Sequence, residues 1–317
     1  MNKTGYFAHS LCRQHDMGQG HPECPQRLDA IEDRLLICGV GDALERREAP
    51  PAPLVDIELA HDRMYVASLR GLADGLREEI DAGGPDHVQI DPDTTLGIHT
   101  WDAALHAVGA ALAATDAVIA GELENAFCAV RPPGHHAGRA QAMGFCFFNN
   151  VAVAAKYALQ RHGLRRVAIV DFDVHHGNGT EDIVANDPRI LMVSIYQHPF
   201  YPNGGASSNA AHMVNLPVPA YTRGPEIRAM IEASWIPALE EHRPEMIFIS
   251  AGFDAHREDD MGQLGLVEQD YAWITQRVKD VARRHANGRI VSCLEGGYNL
   301  SALARSVEAH LRVLADV

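Results

Sequence analysis

The sequence predicts a single α/β domain built around a mostly parallel β-sheet. Short apolar runs typical of buried strands alternate along the 317-residue chain with longer runs that have helical spacing. Strands separated by helices form βαβ crossovers, which place helices on both faces of a parallel sheet. Since no internal repeat or low-complexity linker divides the sequence, we expect residues 1–317 to form one domain.

The individual elements are predicted from apolar spacing and from Gly and Pro punctuation. The strands are expected at residues 126–130, 166–172, 190–195, 245–250 and 289–294. The helices are expected at residues 25–38, 61–80, 100–120, 149–162, 226–242 and 266–285. Pro25 is predicted at the first helical position of the first helix, and Gly39 is predicted to end it. The Pro-rich segment 49–53 is predicted to be a loop within the domain.

Composition limits the function. Hydrophobic residues make up 46% and charged residues 22%, as in ordinary globular proteins. Apolar stretches are broken by charge before the roughly 18 residues of a membrane span, and the N-terminus lacks an export signal, so a cytoplasmic location is expected. The formal charge of −15 disfavours nucleic-acid binding and mildly favours cationic substrates, although it is equally compatible with a role in solubility. The six cysteines lack Cys-x-x-Cys spacing, which predicts free thiols.

Residues 167–179 are the most informative segment, because an apolar strand ends there in carboxylates, imidazoles and glycines. Ligands bind at the carboxyl ends of parallel strands. Alternate side chains of an extended segment share a face, so Asp171, Asp173 and His175 can point the same way. A carboxylate and an imidazole two residues apart suit a divalent metal, which makes Asp173 and His175 the predicted pair of ligands.

A third metal ligand must come from another strand end. Asp254 is the best candidate because it follows an apolar strand and a Gly-Phe turn, although an isolated Asp there is as often a turn or N-cap carboxylate. Three ligands and an open position are what catalytic zinc requires. Because two carboxylates and one imidazole form an oxygen-rich set, Fe(II), Mn(II) or Co(II) could also bind.

A metal bound at such a site lowers the pKa of its water and polarises a carbonyl, and hydrolysis there would also need a group that transfers protons. The tandem histidines are the candidates. His135 and His136 follow a rigid Pro-Pro-Gly turn, and because their charges couple, one should hold a proton while the other acts as base and then acid. Asp171 is expected to orient one histidine, and Asn178 to hold the other as a neutral tautomer. Tyr298 is expected to donate its hydroxyl to an oxyanion; the alternative is packing at the base of a loop.

These motifs resemble those of the zinc-dependent histone deacetylase superfamily, especially its class II and bacterial deacetylase-like members, which include acetylpolyamine amidohydrolases. The similarity spans roughly residues 20–300. Its motifs are residues 131–137, 144–150, 171–179, 250–255 and 294–299, with a first loop at 21–27. The resemblance implies an arginase–deacetylase α/β fold whose central, mainly parallel sheet has eight strands flanked by helices.

The resemblance also implies roles for the residues at these positions. Zinc is expected on Asp173, His175 and Asp254. His136 is expected to be the general base and acid, with His135 as its electrostatic partner.

Further roles follow from the same resemblance. His135 would be backed by Asp171, and Tyr298 would polarise the acyl oxygen. A structural potassium ion is also implied. The matching positions are Asp171, Asp173, His175, Ser194 and Ile195.

The resemblance places the substrate in a tunnel. Phe145, which follows Gly144, and Tyr201 are expected to be its aromatic walls, with Tyr201 making the wall slightly more polar than a Phe. Met261 occupies a rim position that is apolar in most lysine deacetylases. Asp93 is expected at the rim, where relatives carry a small polar residue that contacts the substrate amide.

The sequence therefore predicts a metal-dependent amidohydrolase that removes acetyl or similar short acyl groups from acylated amines, such as acetyl-lysine or acetylpolyamines. It gives no indication of a nucleic-acid or membrane partner, and a homo-oligomer is compatible with it. One alternative is an acyl-lysine-binding module without strong turnover, against which the intact His136 and Tyr298 argue. An arginase-type ureohydrolase is the other; it needs two manganese ions and bridging Asp ligands, and residues 131–137 supply no acidic ligand.

Overall fold

The computed structural model describes residues 3–203 and 210–317. Within these residues the strands are β1 (Thr4–Ala8), β2 (Leu44–Glu48), β3 (His87–Gln89), β4 (Thr95–Gly97), β5 (Asn125–Cys128), β6 (Val167–Asp171), β7 (Ile190–Gln197), β8 (Met213–Val218), β9 (Ile247–Ala251) and β10 (Ile290–Leu294). The helices are α1 (Leu11–Gln14), α2 (Gln26–Cys38), α3 (Leu54–Ile57), α4 (Arg63–Asp81), α5 (Thr100–Ile119), α6 (Asn150–Arg161), α7 (Asn178–Val184), α8 (Gly224–His242), α9 (Glu268–His285) and α10 (Leu300–Ala315).

In the described residues, one sheet of eight strands runs in the order β2-β1-β5-β10-β9-β6-β7-β8, and each neighbouring pair is parallel. Strands β3 and β4 form a separate antiparallel pair. Every residue of β5, β6, β9 and β10 is buried, because helices cover both faces of a parallel sheet. The carboxyl ends of these four adjacent strands therefore lie side by side along one edge.

The predicted fold class is confirmed, and each predicted strand and helix is found with its ends shifted by a few residues. Pro25 was expected to be the first helical residue but is the cap that precedes α2, whereas Gly39 ends the helix at a φ of 72° as expected. The elements that the sequence patterns did not predict include strand β1, the edge strands β2 and β8, and the final helix α10. Strands β2 and β8 are only partly buried, so they lack the continuous apolar run of the central strands.

Helix α5 is the one helix among the described residues that is long and apolar enough to cross a membrane. It packs against β5 and α6, and 67% of its most apolar window is buried within the fold. This degree of burial is typical of a helix in the core of a globular domain. The six cysteines are free, as predicted, and Cys12, Cys128, Cys146 and Cys293 are buried.

Candidate active site

The predicted zinc ligands, the tandem histidines and Tyr298 lie in loops that follow β5, β6, β9 and β10. These loops contain residues 131–137, 172–177, 252–261 and 295–299, respectively. The four strands are neighbours in the order β5-β10-β9-β6, although they are far apart in the chain. The sheet order therefore brings all four loops to one place.

Asp173, His175 and Asp254 form the one group of three potential metal ligands found among residues 3–203 and 210–317. The Nδ1 atom of His175 lies 3.0 Å from Oδ1 of Asp173 and 3.3 Å from Oδ2 of Asp254. Ligand atoms bound tetrahedrally at about 2.0–2.1 Å are separated by about 3.3 Å. Oδ2 of Asp254 is buried and has no hydrogen-bond partner in the described chain, as expected for an atom that binds a cation. The donor set therefore fits a zinc-sized ion.

The remaining oxygens of these carboxylates are held by backbone groups. Asp173 Oδ2 accepts a hydrogen bond from the N–H of Gly296 at 2.9 Å, and Asp254 Oδ1 accepts one from the N–H of Val174 at 2.9 Å. A Cβ at Gly296 would lie 1.9 Å from Asp254 Oδ2, and one at Gly252 would lie 2.0 Å from Asp173 Oδ2. Only glycine allows the backbone to pass this close to the carboxylates.

The electrostatics of this group also favour a cation. Burial, and then the Asp173 carboxylate, raise the pKa of Asp254 to about 6. Burial alone would lower the pKa of His175, but Asp173 and Asp254 raise it to about 10. Two buried carboxylates facing one imidazole leave an excess of negative charge, which a bound divalent cation would neutralise.

The tandem histidines lie beside this group in different environments. Their rings are 4.0 Å apart between centroids. Nδ1 of His135 lies 3.1 Å from Oδ2 of Asp171, and Nδ1 of His136 lies 2.7 Å from Oδ1 of Asn178. Both predicted pairings are therefore present in the geometry.

The two histidines have opposite pKa shifts. Burial lowers the pKa of His135, but Asp173 and Asp171 raise it well above its ordinary value. Burial, followed by the charges of His135 and His175, holds the pKa of His136 well below its ordinary value. A charged His135 and a neutral His136 are the division that acid–base catalysis requires.

Glu295 supports the histidine loop and was not given a role by sequence reasoning. Its Oε2 accepts hydrogen bonds from the N–H groups of Gly134, at 2.6 Å, and His135, at 3.1 Å. Its Oε1 accepts one from the Ser250 hydroxyl at 3.0 Å. Burial raises the pKa of Glu295 to about 7. The only feature of the sequence that could have indicated a role for Glu295 is its position between β10 and the Gly296-Gly297 pair.

A cavity of about 260 Å³ leads to these groups. Its lining residues are Asp93, His136, Gly144, Phe145, His175, Phe200, Tyr201, Asp260, Met261 and Tyr298. All the predicted tunnel and rim residues are among them. Phe200 and Asp260 were missed by the sequence reasoning. Phe200 stacks on the His175 ring at a centroid distance of 5.4 Å, and Tyr201 meets the His136 ring edge-on at 5.1 Å.

The loop that carries Phe145 is tightly constrained. Gly144 has a φ of +56°, and a Cβ at this position would lie 2.5 Å from Cδ2 of His136. Phe145 itself has a φ of 69°. The N–H of Gly144 donates to Asp93 at 3.2 Å, and that of Phe145 donates to Thr94 Oγ1 at 3.0 Å. Asp93 therefore both borders the cavity and fixes its wall.

Tyr298 lines the cavity and lies beside buried Arg27. The guanidinium carbon of Arg27 is 5.0 Å from the Tyr298 ring centroid, and its Nε donates to the carbonyl of Gly297 at 2.6 Å. Burial, and then the Asp254 carboxylate, raise the pKa of Tyr298 well above its ordinary value. The phenol is therefore protonated and able to donate a hydrogen bond. Arg27, the last residue of the first loop at 21–27, was not assigned a role from the sequence.

The positions predicted for potassium lie on adjacent strands. Asp171 is paired in register with Ser194, and Ile195 follows on the same strand. Oδ1 of Asp171 accepts from the N–H of Asp173 at 3.1 Å, while Ser194 donates to Asn215 Oδ1 at 2.6 Å. The residues are neighbours, and potassium binding stays a prediction.

The chain is similar to known proteins along most of its length. The histone deacetylase domain model matches residues 21–314. The chain is 36% identical to "Histone deacetylase-like amidohydrolase" of Pseudomonas aeruginosa, covering 94% of this chain and 82% of that protein. It is 38% identical to "Polyamine deacetylase HDAC10" of Mus musculus, covering 90% of this chain and 43% of that protein.

The fold is likewise similar to a solved structure. The chain described as "Crystal Structure of HDA15 HD domain" superposes with a TM-score of 0.89 at 31% sequence identity. The match covers all of this chain and 90% of that one. The similarity therefore extends through the entire sheet and its surrounding helices.

Proposed function

Because the chain belongs to the histone deacetylase family, we propose that it is a metal-dependent amidohydrolase that removes acetyl or similar short acyl groups from acylated amines. One observation carries this proposal. Asp173, His175 and Asp254 converge beside the tandem histidines, and the His175 and His136 rings line a largely apolar cavity. A linear acylated amine would pass between the aromatic walls and present its carbonyl to these groups.

We propose zinc as the ion held by Asp173, His175 and Asp254, with Fe(II), Mn(II) or Co(II) as alternatives that suit the same donors. When bound, such an ion supplies Lewis-acid polarisation of a carbonyl and acidification of water. The chain must supply proton transfer and orientation. Since the described residues contain a single group of three ligands, the two-manganese ureohydrolase chemistry is not favoured.

His136 is the proposed general base and acid. Its Nδ1–H donates to the Asn178 carbonyl oxygen, which leaves Nε2 unprotonated. Its lowered pKa keeps the ring neutral at physiological pH. His136 then accepts the proton of the attacking water and returns it to the departing amine nitrogen, so the product leaves as a free amine.

His135 and Tyr298 stabilise the negative charge that develops on the acyl oxygen. The raised pKa of His135, caused by Asp173 and Asp171, keeps its ring cationic beside the reacting atoms. The protonated phenol of Tyr298 donates a hydrogen bond to the developing oxyanion. Asp171 holds His135 through its Nδ1, so it positions this charge rather than transferring protons.

The proposed substrate is an acylated amine that carries further positive charge, as acetylpolyamines and lysine-rich peptides do. Aromatic and aliphatic groups line the cavity walls, where an alkyl chain would lie. Asp93, which is half-buried, and Asp260, which is exposed, add two carboxylates to the lining. The lining contains no Lys or Arg among the described residues. A cation beyond the acylated nitrogen would therefore be attracted.

Several wider expectations remain proposals. Residues 1–317 would form one catalytic domain, supported by the continuous sheet. A potassium ion would be held by Asp171, Asp173, His175, Ser194 and Ile195. We also propose a cytoplasmic location and no nucleic-acid or membrane partner. Sedimentation of the purified protein would test whether it forms a homo-oligomer.

A substrate panel tests the proposed function. The zinc-loaded protein would be assayed with acetyl-lysine peptides, acetylputrescine, acetylspermidine and longer acyl-lysines, and kcat/KM compared. We expect turnover of at least one acetylated amine, its loss on chelation, and preference for substrates with a second cation. Binding without turnover would instead support an acyl-lysine-binding module. Absence of both from the whole panel would refute the proposal.

A further inference from the structure

Asp259 is a buried carboxylate that joins two of the site loops. It is 5% exposed and lies between the ligand Asp254 and the rim residue Met261. Its Oδ2 accepts hydrogen bonds from the backbone N–H of Tyr298 at 2.6 Å and of Asn299 at 2.9 Å. Its Oδ1 accepts one from the N–H of Met261 at 3.0 Å. One carboxylate thus holds both the Tyr298 loop and the cavity rim.

The Tyr298 loop requires such a constraint. It contains two consecutive glycines, and Gly297 has a φ of +117°, so the backbone before Tyr298 has unusual conformational freedom. On the tyrosine ring, the aromatic and cationic contacts are an edge contact with Phe145 at 5.9 Å and the Arg27 guanidinium. Arg27 fixes the carbonyl side of Gly297. Asp259 fixes the following two N–H groups by charge-assisted hydrogen bonds, which are about twice as strong as neutral ones.

We propose that Asp259 is a positioning residue for Tyr298, an inference that rests on the proposed hydrolysis. Asp259 is not among the residues that line the cavity, so it acts through the loop rather than on the substrate. It holds the Tyr298 backbone where the phenol can donate to the acyl oxygen. Because the same carboxylate accepts a hydrogen bond from the Met261 N–H, it also fixes the position of the rim relative to the phenol.

The test is a double-mutant cycle with Asp259→Asn and Tyr298→Phe. The amide keeps the shape of the side chain but presents an NH₂ group to backbone donors and lacks the charge. We expect Asp259→Asn to lower kcat about 10- to 100-fold, as small misplacements of reacting groups do, with KM changed by less than about 3-fold. In the Tyr298→Phe background it should lower kcat by less than about 3-fold further, because the positioned hydroxyl is already absent. Bound-metal stoichiometry should equal that of the parent protein.

Glu258→Gln is the matched control. Its carboxylate is one residue away but pairs with Arg305 at 2.8 Å on the surface, so the same change of charge should leave kcat unaltered. Asp259→Glu provides a second variant that retains the charge but displaces it, and its loss of kcat should also vanish in the Tyr298→Phe background.

The possible results separate the two proposals. If Asp259→Asn and Asp259→Glu lower kcat equally in both backgrounds, or leave it unchanged where Tyr298→Phe lowers it, the positioning role is refuted. If Asp259→Asn does not fold, the cycle with Asp259→Glu decides between these results. If the zinc-loaded parent protein has no hydrolase activity, the proposed function itself fails.

Discussion

Gly144 offers a test of how closely the backbone must approach the general base. A Cβ at this position would lie 2.5 Å from Cδ2 of His136, whereas ordinary contacts begin at 3.4 Å. In Gly144→Ala the His136 ring must therefore move by roughly 1 Å, or the loop must shift with it. A misplacement of about 1 Å can cost about 10²-fold in rate, which corresponds to ~2.7 kcal/mol of activation free energy. The φ of +56° adds about 1–2 kcal/mol of destabilisation.

Gly163→Ala separates these two effects. Gly163 has a φ of +68°, and a Cβ there would have no neighbour within 4 Å. It should therefore lose about 1–2 kcal/mol in the free energy of unfolding, with no change in kcat. Both variants would be assayed for kcat and KM on an acetylated amine and for unfolding in urea. If Gly144→Ala retains kcat within about 3-fold of the parent, the inferred contact with His136 does not limit catalysis.

Four further predictions follow from the site. Tyr298→Phe should lower kcat by about 10²-fold or more through loss of an oxyanion donor, with an unfolding curve close to that of the parent; unchanged kcat would remove its proposed role. Asn178→Asp should raise the pKa of His136, because a carboxylate at Nδ1 favours the charged ring. The acidic limb of the kcat/KM profile, where the base becomes protonated, should then move to higher pH by about 1 unit or more. A shift to lower pH would contradict the assignment of His136 as the base. Chelation should abolish activity and lower the melting temperature. Zinc at 100 times its Kd should restore about 2.7 kcal/mol in the free energy of unfolding. Equal stability with and without zinc would contradict the metal site. Asp260→Asn should raise KM about two- to five-fold for an acylated diamine but not for an uncharged analogue. Added salt should reduce this difference between the two substrates. Equal effects on both substrates would exclude recognition of the substrate charge by Asp260.

Sequence reasoning succeeded where chemistry is encoded locally. Asp173 and His175 are two residues apart at the end of a buried strand, so their proximity follows from extended geometry. The polar ends of β5, β9 and β10 were also identified from short segments, whereas the expected wall position of Phe145 came from the family resemblance. The resemblance to a family then assigned expected roles that residue patterns alone had left open, as for Asp254.

Three of the residues that were missed act through backbone contacts between distant loops. Glu295, Arg27 and Asp259 each bind main-chain N–H or C=O groups of another segment, and such contacts leave no periodic signal in the sequence. Phe200 was missed because an aromatic residue next to another aromatic is not distinguishable by pattern from a core residue.

The sequence by itself determined the fold class and the chemical character of each strand end, because hydrophobic spacing and glycine punctuation act over a few residues. Only the tertiary structure decided that β5, β10, β9 and β6 are adjacent, and hence that Asp254 meets His175 and that Asp259 reaches Tyr298. Strand order depends on how the helices and edge strands pack around the whole sheet. The free energy that favours one strand order over another comes from contacts between remote segments, and no local pattern encodes those contacts.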